Sequence, residues 1–227
     1  MTAANVVSGP WWLVAVCAAA AWPLGRWLGG VLAGGDYRLD DEQDHPVPGR
    51  QWLVTVGLIV VSALLARMVG WTAGGTLLPT FLLVGVVGVA LAWIDSDVHR
   101  LPVGLTYPTA IGVVGLLAVA AATTGQWGSL GRALGVGVAA YVVLFILALV
   151  SGGQFGLGDV TLGAMLAVPL GYLDLRSPLW AIALAFILSG VWSVLGLITR
   201  KLTLRSHIAF GPFLLIGGLL ATLAATR

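Results

Sequence analysis

Asp95 lies in Trp93-Ile94-Asp95-Ser96-Asp97-Val98-His99-Arg100-Leu101-Pro102 and Asp159 in Gly156-Leu157-Gly158-Asp159, both at the rims of hydrophobic segments in a chain that is only 9% charged. Carboxylates are costly to keep at such positions, and those that are kept there carry chemistry or ion transport. If the two face each other in a poorly solvated site, mutual repulsion leaves the pair sharing a proton, one carboxylate acting as base and the other as acid. Such a pair can take a proton from water, let the water attack a peptide carbonyl, and protonate the departing nitrogen without a metal, a cofactor or a covalent intermediate.

The elements that must position these residues are membrane helices. The chain is 59% hydrophobic with 32 glycines and a mean hydropathy of +1.02, values that a domain with a water-facing surface does not reach. A formal charge of +2 resting on scattered arginines excludes a nucleic-acid footprint. Cys17 is the only cysteine and lies in an apolar run, so a disulfide framework, a zinc knuckle and a thiol nucleophile all lack support. No basic region precedes Trp11, and the first hydrophobic run reads as a retained span rather than a cleaved signal.

Spans of about 20 apolar residues are required to cross the hydrocarbon. Eight candidates occur at 11–33, 52–70, 77–95, 103–122, 132–150, 160–173, 179–199 and 208–226. The expected fold is therefore all-α, a polytopic bundle of about eight spans in one integral membrane domain over 1–227. The sixth run would rise only about 21 Å as a helix, so it must extend into the preceding glycine loop, sit beside thinned lipid, or fail to cross. The long polar stretch, within 34–51, is acidic and proline-containing and reads as a solvated loop. Eight spans put both termini on one side. The connections carrying Arg38, Arg50, Arg100, Arg200, Lys201 and Arg205 hold more basic residues than the opposite side, with Arg67, Arg132, Arg176 and Arg227, which orients both aspartates toward the cytoplasm. Trp11, Trp12, Trp71, Trp127 and Trp180 fall near the outer rim, and Trp52 and Trp93 near the inner one.

Ser151-Gly152-Gly153-Gln154-Phe155-Gly156-Leu157-Gly158-Asp159 permits positive φ angles and close approach of another backbone, on which an extended substrate could lie. No Lys-Ser or Lys-Thr follows, so it is not a phosphate loop. The plainer alternative is a turn, with Asp159 capping the sixth helix.

Ile94-Asp95 followed by Pro102, then Gly-x-Gly-Asp at 156–159, then Ile208-Ala209-Phe210-Gly211-Pro212-Phe213, together resemble the type IV prepilin peptidase family of intramembrane aspartic proteases, in the right order over a core of about 52–226. The resemblance implies that Asp95 and Asp159 are the catalytic pair, with Pro102, Gly156, Gly158, Gly211 and Pro212 shaping the site or contacting substrate. It implies as partner a pilin-like precursor, held in the lipid bilayer of the cell's inner membrane, whose basic leader is cut after a glycine at the cytoplasmic face. Acidic residues Asp36, Asp40, Asp41, Glu42 and Asp44 could attract that leader. The chain lacks the paired Cys-x-x-Cys motifs of the larger bifunctional members, so a zinc site is unsupported and N-methylation is in doubt; Val103 and Thr161 also depart from the family's usual Asp or Asn and Lys.

Among the other polar residues, Asp97 reads as a hydrated rim charge, and His99 as a solvated loop residue that could share a helix face with Asp95. Arg100 marks the membrane edge, Arg26 snorkels toward the inner interface, and Arg200, Lys201 and His207 line the inner rim. Two other classes stay open: a proton- or cation-coupled carrier using the same aspartates, and a non-catalytic membrane assembly subunit.

Overall fold

The structure, a computed structural model, describes residues 7–39, 47–151, 155–200, 203 and 209–225. Among these the chain is all-helical, in eight helices: α1 Trp11–Gly34, α2 Trp52–Val69, α3 Leu78–Val98, α4 Val103–Thr124, α5 Trp127–Val150, α6 Leu157–Leu173, α7 Ser177–Ile198 and α8 Gly211–Ala225. Six are long and apolar enough to cross a bilayer, which makes this a multi-pass membrane protein; α6 and α8 are shorter. Asp40, Asp41, Glu42, Asp44, Gly152, Gly153, Gln154, Lys201, Arg205, His207, Ile208 and Arg227 lie outside the described residues.

The helices pair as hairpins, α1 with α2, α5 with α6 and α7 with α8, while α3 bridges α2, α4 and α8. Glycines permit the close approach that replaces a hydrophobic driving force within lipid. A Cβ at Gly25 would come 2.7 Å from Thr55 Cα, and one at Gly217 would collide with the Ala181 carbonyl.

Helix α6 is the centre of the bundle, touching α3, α4, α5, α7 and α8. Eleven of its residues are buried, among them Val160, Leu162, Met165 and Tyr172, so its surroundings are protein and not lipid. A central helix need not match the bilayer thickness on its own. It does extend into the glycine loop, beginning at Leu157, and at 17 residues rises about 25 Å. At its far end Arg132 of α5 donates from Nε to the Gly171 carbonyl at 2.8 Å and from Nη2 to that of Tyr172 at 2.6 Å, satisfying carbonyls that a helix end leaves open.

Several boundaries differ from the sequence expectation. Helix α3 runs on to Val98, so Asp95 stands one turn inside the helix and does not end it. Helix α5 starts at Trp127, before the expected 132, because Gln126 begins it with carbonyl bonds to Ser129 and Leu130. Helix α8 starts at Gly211, since Ala209 and Phe210 are not helical.

Candidate active site

The last turn of α3 and the first turns of α6 and α8 meet at one end of the bundle. Asp95 is 4% exposed, and its Oδ2 accepts the Gly211 backbone N–H at 2.9 Å. The contact follows from how α8 begins. The Phe210 carbonyl accepts from the amides of Phe213 and Leu214, which makes Gly211 the first helical residue, and its N–H has no partner within the helix. Pro212 has no N–H to satisfy and its fixed φ suits a first turn. The one open donor of this helix start is thus given to Asp95. Gly211 must also be small: a Cβ there would stand 2.8 Å from Oδ2 and 3.3 Å from Cγ of Asp95.

Asp159 sits in the first turn of α6, after the N-cap Gly156. Its Oδ1 is shielded from solvent and has no hydrogen-bond partner, while Oδ2 lies beside Gly156, 3.4 Å from where a Cβ would project. Helix α6 touches α3, and Gly158 packs on Leu101 just beyond it, so Asp159 lies at the same end of the bundle as Asp95. A shielded carboxylate oxygen without a donor is a place where a proton, a water or a substrate group belongs.

Gly158 sets the approach of α6 to the corner between α3 and α4, since a Cβ there would lie 2.8 Å from Leu101 Cβ. Pro102 then starts α4, its carbonyl accepting from the amides of Leu105 and Thr106 and from the Thr106 hydroxyl. Gly156 and Gly158 therefore serve close approach. Neither has a positive φ, which among described glycines occurs at Gly35, Gly74, Gly75 and Gly125; the other two glycines of this stretch, Gly152 and Gly153, lie outside the described residues. Thr161 donates back to the Gly158 carbonyl at 2.8 Å and stays within the first turn of α6.

Asp97 is not the hydrated charge its position suggests. Arg38 grips it in a fork, Nε to Oδ2 at 2.8 Å and Nη2 to Oδ1 at 2.6 Å, with the two side chains only 5% and 8% exposed. The Tyr37 hydroxyl donates to the same Oδ2 at 2.5 Å, and Arg100 Nη2 donates to the Tyr37 carbonyl at 3.2 Å. Burial and the neighbouring Asp97 push the Tyr37 phenol above its ordinary value of 10.0, and hydrogen bonding to Asp97 likewise raises the Arg38 guanidinium. This latch ties the segment after α1 to the turn that carries Asp95. Arg100 is consequently a structural tie as well as an edge marker. His99 terminates α3 in the left-handed region at φ 49°, its N–H on the Asp95 carbonyl at 2.9 Å, and its side chain is exposed.

A second feature missed by motif reading is aromatic. Phe210, directly before α8, packs on Phe186 of α7 and on Phe155, just before α6, with centroids 4.9 and 5.3 Å apart. Such pairs contribute about 0.5–1.5 kcal/mol each beyond their burial. They hold the two helix starts that flank the carboxylates. Phe155 and Phe210 stand inside two of the quoted motifs, but nothing in the sequence pairs them with each other or with Phe186 of α7.

Beside the site an apolar cleft of about 210 Å³ opens between α2, α3, α6 and α8, running from Ala92 and Pro212 past Gly88 and Leu215 to Phe81 and Thr222. Among the described residues no group of three or more His, Cys, Asp or Glu is arranged to hold a metal ion. No family model, curated protein or solved structure matches this chain.

Proposed function

We propose that the protein is a membrane aspartic endopeptidase that removes the basic leader from type IV prepilin-like precursors at the cytoplasmic face of the cell membrane. The observation that carries this reading is the convergence of Asp95, Asp159 and the Gly211 amide at one end of the bundle, from three helices far apart in sequence. With Oδ2 of Asp95 committed to Gly211, its Oδ1 is the oxygen left to take a proton from water. The water oxygen adds to the scissile carbonyl, Asp159 gives a proton to the amide nitrogen as the C–N bond breaks, and the proton on Asp95 returns the pair to its starting charge.

The apolar cleft beside Asp95 supports a substrate that is itself embedded in the membrane, because hydrophobic residues following the cut could lie against Ala92 and Pro212. The excess of basic residues on this side supports its cytoplasmic placement. Exposed Asp36 begins the acidic stretch that would attract a basic leader.

The test is co-expression with a pilin-like precursor from the same genome, reading the product by intact mass. Wild type is expected to remove the leader, whereas Asp95→Asn and Asp159→Asn, present in the membrane at equal level, leave it intact. An additional 14 Da on the product, the mass of one CH₂, would report methylation. Cleavage persisting in both variants would assign processing to another enzyme and favour the carrier reading.

A further inference from the structure

Arg26 is a charge placed within a span, and the aspartate site does not use it. It stands eight residues before Gly34, the end of α1, which is about 12 Å along the helix axis. Among the described residues no carboxylate pairs with it; its one partner is the Trp22 ring, 5.8 Å from guanidinium to centroid. A guanidinium at that depth is expensive unless an anion or water reaches it.

The surroundings are built to admit an anion. A groove of about 550 Å³ lies between α1 and α2, with Arg26, Trp22, Gln51, Trp52 and Thr55 in its lining. The amide, hydroxyl and two indoles supply donors around the cation, and Trp22 and Trp52 are more than half exposed on the outside of the hairpin. Gly30 keeps part of the wall open, since a Cβ there would meet nothing within 4 Å. The hairpin faces outward: only 17% of the spanning window of α1 is buried within the protein. An anion that pairs with Arg26 in this groove would carry its charge beside the α1–α2 hairpin and approach from the outward, lipid-facing side. The phosphodiester of a lipid headgroup is such an anion, and a guanidinium fork matches its oxygens.

We propose that the α1–α2 groove binds the headgroup of an anionic phospholipid, with Arg26 on the phosphate and Gln51 and Thr55 on the glycerol or headgroup hydroxyls. The site is independent of the aspartates, so its occupancy requires neither a substrate nor cleavage.

Native mass spectrometry of the detergent-purified full chain, titrated with phosphatidylglycerol, phosphatidylcholine or inorganic phosphate, tests this. Wild type is expected to carry one more phosphatidylglycerol than Arg26→Gln at the same lipid level, with affinity at this site falling about tenfold or more on loss of the charge-assisted bonds. Arg26→Lys should fall between the two, as a cation without the fork, and Arg176→Gln at the other end of the bundle should match wild type. Phosphatidylcholine should bind more weakly than phosphatidylglycerol, and inorganic phosphate should neither add nor displace lipid. Arg26 is exposed on the helix surface, so these changes leave the core intact. Equal phosphatidylglycerol binding by wild type and both Arg26 variants would overturn the proposal, as would displacement of the lipid by phosphate, which would make this a site for soluble anions.

Discussion

Gly211→Ala separates the geometry of the aspartate site from the mere presence of its carboxylates. A Cβ at this position would lie 2.8 Å from Asp95 Oδ2, about 0.6 Å inside ordinary contact, and 3.3 Å from Cγ. Asp95 is 4% exposed and has little room to retreat, so either the carboxylate turns away or the start of α8 moves out. Both movements lengthen the 2.9 Å bond from the Gly211 N–H. A hydrogen bond to a charged group is worth about 1.5–3 kcal/mol, which corresponds to roughly 10–150-fold in a rate that depends on it. Displacing a reacting group by about 1 Å can cost 10²-fold by itself.

Stability is the poorer readout for this variant. Gly211 does not have a positive φ, so alanine is conformationally acceptable there and gains up to about 1 kcal/mol of helix propensity, offsetting part of the steric cost. On the proposed peptidase function, the informative assay is kcat/KM for leader removal from a pilin-like precursor in detergent or reconstituted membranes, with Gly115→Ala as the control. Position 115 lies within α4, where a Cβ meets nothing within 4 Å. The expected outcome is a fall of about 10–150-fold for Gly211→Ala at equal membrane level and no change for the control. A Gly211→Ala enzyme within threefold of wild type would refute the argument that this contact sets the catalytic geometry.

Asp97→Asn should lower activity without abolishing it and reduce thermal stability, because it leaves buried Arg38 without its charge partner; a variant with full activity and an unchanged melting temperature would show that the latch is dispensable. The same latch implies an alkaline limit. The folded-state pKa of Tyr37 is raised above 10.0, so its contribution is fully present below the unfolded value and is lost as pH rises through the folded value. Melting temperatures measured from pH 9 upward should therefore decline more steeply for wild type than for Tyr37→Phe, and parallel curves would contradict this. Arg132→Gln removes the donor of the Gly171 and Tyr172 carbonyls and should lower the melting temperature by several degrees, given about 1–2 kcal/mol for a half-exposed pair of charge-assisted bonds; leader cleavage at low temperature should survive, because the change lies at the opposite end of α6.

Membrane class, the helical fold and the candidate carboxylates were legible in the sequence, because each depends on local quantities. Apolar run length decides whether a segment can span, and a carboxylate beside such a run is conspicuous wherever its helix later packs. The sequence favoured Asp95 over Asp97 only through the motif that begins at Ile94, and local reasoning misjudged the surroundings of Asp97. Both end one hydrophobic run, and locally the outer one looks hydrated. Packing gives the two different partners: Arg38, 59 residues away, takes Asp97 into a buried ion pair, while Gly211, 116 residues away, brings its amide to Asp95. The glycines of the 156–159 motif were visible as glycines, but only the position of Leu101 shows that Gly158 provides close approach and not a left-handed turn. The short sixth span was puzzling in isolation because its length was compared with lipid. In the fold it is surrounded by five other helices, so the bilayer thickness does not constrain it. Composition and run length act residue by residue along the chain, whereas the partner that neutralises, caps or crowds a side chain is chosen by helix packing.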